Sequence, residues 1–472
     1  MRLLISSFQK LLSHSRFMLT IRSQGGIYRG LILFRLSPNL EETLDAKAKL
    51  LAAHKQLYIM ESACPHLGAD MSHADIEEHE DGVVAVCPWH RYDFDLKTGA
   101  NEMGLHACTY PVHVETDDAD GIDKVYMEPP ALDSEWTLVE LRPVSEEFAD
   151  PPPTCAKENI EATAPISMHP VEDEPIVPVD NAPNTLMEWA VLILNTPNPL
   201  LKVERTRHAV QMFRTGQLKS IGNKKLFNPP QPPDVPRRDA LYVKNSVDPT
   251  RMRTKKSKAF MLHALANIEQ WAIDLAWDIM ARFGPMHPDL PPAFFSDFAK
   301  MALDESKHFS LLTARLAAIS PSTPYGSMPV HASLWESASI TSTSLRARLA
   351  IIHLVHEARG LDVNPQTIER FRKAGDSDSV NVMEIVHADE VTHVTTGHRW
   401  FTWMCEKDGG LDPITTFREE VRQSWRGDIK GPFNAEARKT AGLSPGFYEN
   451  LRGEMDTYEM ESSPAKVQIG YD

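Results

Sequence analysis

Residues 64–68 of the chain read Cys-Pro-His-Leu-Gly and residues 87–90 read Cys-Pro-Trp-His, with twenty residues between His66 and Cys87. Each stretch supplies one soft thiolate and one imidazole on a tight loop. Two such loops can hold a two-iron, two-sulfur cluster, with Cys64 and Cys87 on one iron and His66 and His90 on the other. Neutral imidazoles in place of two thiolates lower the negative charge of the cluster and raise its potential. That suits it to take single electrons from ordinary reductases. The competing reading is a structural zinc site, which usually spaces its histidines as a separate downstream pair and not one behind each cysteine.

Around these loops, up to about residue 144, short apolar runs such as Leu57-Tyr58-Ile59-Met60 and Gly82-Val83-Val84-Ala85-Val86 read as strands between polar turns. Residues 145–185 differ. They hold eight prolines, nine acidic residues, one lysine and no glycine, so they cannot bury a core and are expected to form an extended linker. From about 255 to 405, apolar residues recur three and four apart, with stop signals at Gly284-Pro285, Pro321 to Pro329 and Gly375. Four long helices in two pairs are expected there, with shorter helices after Gly409.

Length and composition fit this division. A chain of 472 residues suits two domains and a linker, and 42 % hydrophobic with 24 % charged residues is ordinary for a globular protein. No apolar run approaches the roughly 20 residues of a membrane helix. The net charge of −16 repels nucleic acid and anionic membrane, so neither is an expected partner. The one basic patch, Arg251, Arg253, Lys255, Lys256 and Lys258, reads as a solvated lead-in to a helix. Five cysteines do not make a disulfide framework, which favours an intracellular, reducing compartment. Residues 1–40 contain no Asp or Glu but six basic residues, and so resemble a mitochondrial transit peptide. However, Ile27 to Leu36 already reads as a strand, leaving about the first 24 residues as a presequence; a cytoplasmic location is the preferred expectation.

The two loops, extended as Cys-Pro-His-Leu-Gly-Ala and Cys-Pro-Trp-His-Arg-Tyr-Asp-Phe-Asp-Leu-Lys-Thr-Gly, resemble the Rieske ferredoxin and oxygenase families over roughly residues 25–130. The gap between the halves is a few residues longer than usual, and Arg91 stands where glycine is common. Rieske proteins of cytochrome complexes add a disulfide between the loops. Leu67, Gly68 and Trp89 occupy the matching positions here, which implies a lower potential. Cys108, Cys155 and Cys405 read as ordinary thiols.

A second constellation lies in the helical half. Asp304-Glu305-Ser306-Lys307-His308 and Asp389-Glu390-Val391-Thr392-His393 both contain Glu-x-x-His. Positions three apart share a helix face, so carboxylate and imidazole can reach one metal. Each motif is preceded one helix earlier by a glutamate on an apolar stripe, Glu269 by 36 residues and Glu357 by 33. Glu269, Glu305, His308, Glu357, Glu390 and His393 thus form the set by which ferritin-like four-helix bundles hold two irons or manganeses. These six are the candidate catalytic and metal-ligating residues. Residues 186–450 are similar to a largely uncharacterised ferritin-like family, itself similar to the di-iron tRNA hydroxylases. The carrying stretches are His263 to Asp278, Ala302 to Leu312, His331 to Trp335, His356 to Val363 and Gly431 to Asn434. His331, His353, Arg359 and Asp362 are candidates to orient ligands, with packing or capping roles as the alternative.

The expected organisation is an all-β Rieske domain at 25–144, the linker at 145–185, an all-α ferritin-like domain at 186–450 and a tail at 451–472. The expected function is an oxygen-activating di-iron oxidoreductase, hydroxylase-like or desaturase-like, fed by an in-cis [2Fe-2S] relay. Dioxygen or peroxide, an external reductase and a small organic substrate are its expected partners, and a homo-oligomer is compatible with it. A rubrerythrin-like peroxide- or iron-handling protein is the first alternative. A mononuclear Rieske oxygenase is the second, because Glu390, His393 and His398 mimic its ligand spacing. Such enzymes need a further carboxylate far downstream, and only 74 residues follow His398.

Overall fold

A computed structural model describes residues 2–36, 54, 56–79, 82–117, 120–130, 135–144, 174–223, 229–243 and 257–455. The chain divides into two compact units. The first comprises residues 1–151 with 212–219 and 291–296, and the second comprises the remainder. Cys155, most of the 145–185 segment, four of the five residues of the basic patch and residues 456–472 lie outside the described residues.

The first unit is built of antiparallel strands. Its largest sheet joins β2 (Arg16–Ser23), β3 (Tyr28–Arg35), β4 (Leu57–Glu61), β8 (Thr109–Tyr110) and β11 (Trp136–Pro143) in the order β11-β2-β3-β4-β8. A second sheet runs β1 (Leu3–Ser7), β10 (Asp123–Met127), β9 (Val112–Thr116). The third, which frames the loops of interest, runs β5 (Asp75–His79), β6 (Gly82–Val86), β7 (Asp93–Asp95). Along β2 burial alternates strictly, and Phe17, Leu19 and Ile21 enter a core shared with Ile5, Leu31, Leu33, Ile59 and Val125. That alternation is the signature of a strand with one covered face. Sheet pairing therefore begins at Leu3, ahead of the boundary expected at residue 25. The stretch read from its charge as resembling a presequence supplies β1 and β2, and along β2 Arg16 and Arg22 stand on the face opposite the inward-packing Phe17, Leu19 and Ile21.

The second unit is helical. After α2 (Leu186–Leu194) and α3 (Pro199–Arg214) come α4 (Lys258–Phe283) and α5 (Pro292–Ile319). Later in the chain, α8 (Glu357–Lys373) continues a π-helical segment at Leu349–His356 and is followed by α9 (Ser377–Lys407). The short α6 (Ser333–Ile340) and α7 (Leu345–Arg348) fill the connection, and α10 (Pro413–Ser424) and α11 (Ala435–Thr440) follow α9. The expected stops hold: α4 ends at Phe283, α5 at Ile319, and α8 just before Gly375, whose φ of +67° suits a residue past a helix end. Asp376 then caps α9 by accepting from the Ser379 N–H.

Helix α4 carries two fully buried aspartates, which require partners in so dry a position. Lys202 Nζ reaches Asp274 at 2.5 Å and Arg238 Nη2 at 2.8 Å, while Arg348 Nη1 reaches Asp278 at 2.5 Å. These pairs fix the rotation of α4 and hence the direction of Glu269. Among the described residues no helix is long and apolar enough to cross a membrane.

Candidate metal centres

Cys64 follows β4 and Cys87 follows β6, and the two loops close by the same device. Gly68 N donates to Cys64 O at 2.8 Å, and Arg91 N donates to Cys87 O at 3.0 Å. In both, the closing residue has a left-handed backbone, with φ +76° at Gly68 and +61° at Arg91. This explains why glycine is common at the second position: a side chain there crowds its own carbonyl. Arg91 tolerates the conformation while its guanidinium bonds Asp75 and, at 2.7 Å, Glu77 on β5.

The buried thiols of Cys64 and Cys87 meet in a hydrogen bond, which holds Cys87 down to about 6 and pushes Cys64 up. The rings of His66 and His90 meet edge to face with centroids 4.8 Å apart. His66 Nδ1 is buried without a hydrogen-bond partner. Two sulfurs side by side, two imidazoles side by side and an orphaned ring nitrogen fit an iron–sulfur cluster with one iron on each pair.

In the helical unit the four long helical elements bring their predicted residues to one buried place. Ligand atoms of Glu269, Glu305 and His308 lie within 4.8 Å of one another, as do those of Glu305, Glu357 and His393. Glu305, common to both groups, has Oε2 at 3.1 Å from His308 Nδ1 and Oε1 at 3.1 Å from His393 Nδ1. Although close, Glu305 Oε1 and His393 Nδ1 are not aligned for a hydrogen bond, and both are otherwise unpartnered. That is the relation of two ligand atoms aimed at a common third point. Glu390 joins through a hydrogen bond with Glu357, and its Oε2 is buried and unpartnered. Gly360 on α8 makes room: a Cβ there would stand 3.2 Å from the Glu390 carboxyl carbon.

The electrostatics ask for cations. Burial, then the neighbouring Glu305 carboxylate, pushes Glu269 up to about 8 and Glu357 up to about 7. Burial and the Glu357 charge raise Glu390 well above the carboxylate range. Burial also works to raise Glu305, but the His393 charge and the close approach of the Glu269, His308 and His393 side chains outweigh it and hold Glu305 low. Four carboxylates cannot all ionise in this space unless positive charge joins them. Mixed carboxylate and imidazole donors suit first-row divalent ions.

Two orienting residues escaped the sequence reading. His308 Nε2 lies 2.8 Å from Asp389 Oδ2, and His393 Nε2 lies 3.3 Å from Asp304 Oδ2. Each aspartate precedes the glutamate of one motif and serves the histidine of the other, leaving Nδ1 free to face the carboxylates. Lys307 Nζ adds a 2.7 Å ion pair to Asp389. The signal was present as Asp-Glu-x-x-His in both stretches, but the crosswise pairing is a matter of long-range geometry. Of the four orienting candidates, only His353 lies against the site, with Nδ1 3.9 Å from Glu357 Oε1. His331 bonds Ser333, Asp362 anchors Arg438 and Asn434, and Arg359 is exposed. His398 packs against Phe447 with centroids 5.3 Å apart and joins neither close group, so the mononuclear spacing of Glu390, His393 and His398 is not assembled.

Two family models match the chain: the Rieske [2Fe-2S] domain over residues 37–108, and the family described as protein of unknown function (DUF455) over residues 195–449. An uncharacterized protein of Haemophilus influenzae is 34 % identical over 212 residues, which cover 44 % of this chain and 73 % of that relative. A crystal structure of a candidate NADH-dependent nitrite reductase small subunit from Mycobacterium tuberculosis aligns with 15 % identity and a TM-score of 0.19, covering 27 % of this chain and 98 % of that one.

Proposed function

The chain belongs to the DUF455 family and bears a Rieske [2Fe-2S] domain, and we propose that it is an oxygen-activating di-iron oxidoreductase fed by its own iron–sulfur cluster. In this reading Cys64, His66, Cys87 and His90 hold the [2Fe-2S] cluster. Glu269, Glu305, His308, Glu357, Glu390 and His393 hold two irons, or manganeses, in a ferritin-like bundle. The observation that carries the proposal is the buried meeting of four glutamates and two histidines from four helical elements. A di-iron centre supplies the reduction of dioxygen or peroxide, and a Rieske cluster supplies single electrons.

The chain's own residues define what the site can do. Glu269 and Glu357 hold protons near neutral pH in the metal-free state and give them up when cations enter. Asp304 and Asp389 orient the two imidazoles, each accepting the Nε2 proton so that Nδ1 is the nitrogen left to bind a cation once its own proton is displaced. Five of the six are buried and the Glu357 side chain is 10 % exposed, which largely excludes bulk water and limits proton leakage during oxygen chemistry. An external reductase would reduce the Rieske cluster, and joining the two units on one chain would raise the effective concentration of donor at acceptor. The substrate we propose is a small organic molecule, since a net charge of −16 disfavours a polyanion.

Iron analysis and oxygen uptake test this reading. Two irons beyond the cluster are expected per chain, with the Rieske signal of the reduced protein lost on admission of oxygen. Glu305→Ala should abolish both the extra iron and the oxygen uptake; undiminished uptake would overturn the assignment. Rapid hydrogen peroxide consumption without an organic substrate would favour the rubrerythrin-like alternative.

A further inference from the structure

His353 sits in the π-helical segment one turn before Glu357, and its side chain is 1 % exposed. Both of its ring nitrogens are buried, and neither has a hydrogen-bond partner. Buried polar atoms normally find partners, and an orphan calls for an ion or group to receive it. The other two buried imidazoles of the site, His308 and His393, each give Nε2 to an aspartate. His353 has no such aspartate, so it is not built as they are.

Its Nδ1 lies 3.9 Å from Glu357 Oε1. Two donors on one first-row ion can be no farther apart than two bonds, about 4.2 Å. The pair meets that limit and is too long for a hydrogen bond. The backbone around His353 is made to admit it. Gly397 on α9 faces it, and a Cβ at Gly397 would come within 2.5 Å of the His353 Cβ. Residues four apart share a helix face, and the position four before Glu269 in the matching half is Leu265. The matching position of the Glu269 half therefore carries no imidazole.

Resting on the di-iron reading above, we propose that His353 is a seventh metal ligand, binding with Glu357 and making the two metal positions unequal. The position with Glu357 and His393 would be the richer in nitrogen and the first to fill.

The test uses the full chain with its iron–sulfur cluster intact, loaded with manganese(II) and crystallised, together with manganese titration of wild type and His353→Gln. The expected structure has a His353 nitrogen within about 2.3 Å of an ion that also binds Glu357. The expected titration has two unequal steps in wild type, with the tighter weakened at least about tenfold in His353→Gln, the lower bound for losing even an outer-shell partner. Because the wild-type structure needs no substitution, a variant that fails to fold does not shield the idea. An ion bound by Glu357 and His393 with the His353 ring beyond about 3 Å would overturn this inference and leave the di-iron reading intact. No ion at the six-residue cluster would overturn both.

Discussion

One hydrogen bond on each of two histidines organises the helical centre. Asp389 and Asp304 hold the Nε2 protons of His308 and His393, so each Nδ1 faces the carboxylates. Asp389→Ala and Asp304→Ala should each lower metal affinity about 10- to 100-fold with little change in helix content, checked by metal titration and circular dichroism. The glutamates predict a pH dependence. Glu269 is raised to about 8 and Glu357 to about 7, so below these values each is protonated in the metal-free fold and a cation must displace the proton. Burial works to lower His393, but Glu305 and Asp304 raise it to about 10, so across the same range its ring is an imidazolium in the metal-free fold and a cation must displace its Nδ1 proton as well. Raising pH from 6 to 8 removes protons that compete with metal, and it costs the metal-free fold stability because these groups bind protons more tightly folded than unfolded. The thermal midpoint of the metal-loaded protein should therefore exceed that of the metal-free protein by a margin that grows from pH 6 to pH 8. Calorimetry at matched pH would show a flat or shrinking margin if the assignment is wrong. Arg91 shows the same scale in the first unit: its φ of +61° closes the second loop while its guanidinium bonds Asp75 and Glu77.

Elements set the distances within which these residues act. The helix boundaries were legible from local signals, because caps and stops act within a few residues. The π-helical segment at Leu349–His356 was not, since its apolar run suits an α-helix equally well. Its close approach to α9 depends on Gly397, an unremarked glycine within a long helical pattern. Alanine has the better helix propensity by about 1 kcal/mol, yet a Cβ at 397 would collide with His353 at 2.5 Å. Gly397→Ala should destabilise the helical unit by about 1–3 kcal/mol, as overpacking does, read from urea unfolding followed by helical circular dichroism. A neutral or stabilising effect would mean that α9 can move aside freely.

At the scale of the whole molecule, two units with different architectures carry two different candidate donor sets. Replacing Cys87 by serine should remove the Rieske spectrum and reductase-driven oxygen uptake while leaving two non-cluster metal ions bound in the helical unit. Loss of both metal sites together would show that the units are not independent, and iron analysis with electron paramagnetic resonance distinguishes the cases. The sequence by itself placed the candidate donors: Cys64, His66, Cys87 and His90 lie within two short loops, and Glu-x-x-His lies within one helical turn, so each candidate pair is written locally. It also determined the change of period from strand to helix that separates the units. Only the tertiary structure decided that residues 3–23 belong to the sheets, because their pairing partners, β10, β3 and β11, lie as far as residue 143. Only the tertiary structure set Asp304 on His393, Asp389 on His308 and His353 beside Glu357. The aspartate and histidine partners are 81 and 89 residues apart. No spacing rule reaches that far, and the packing of whole helices decides which side chains meet.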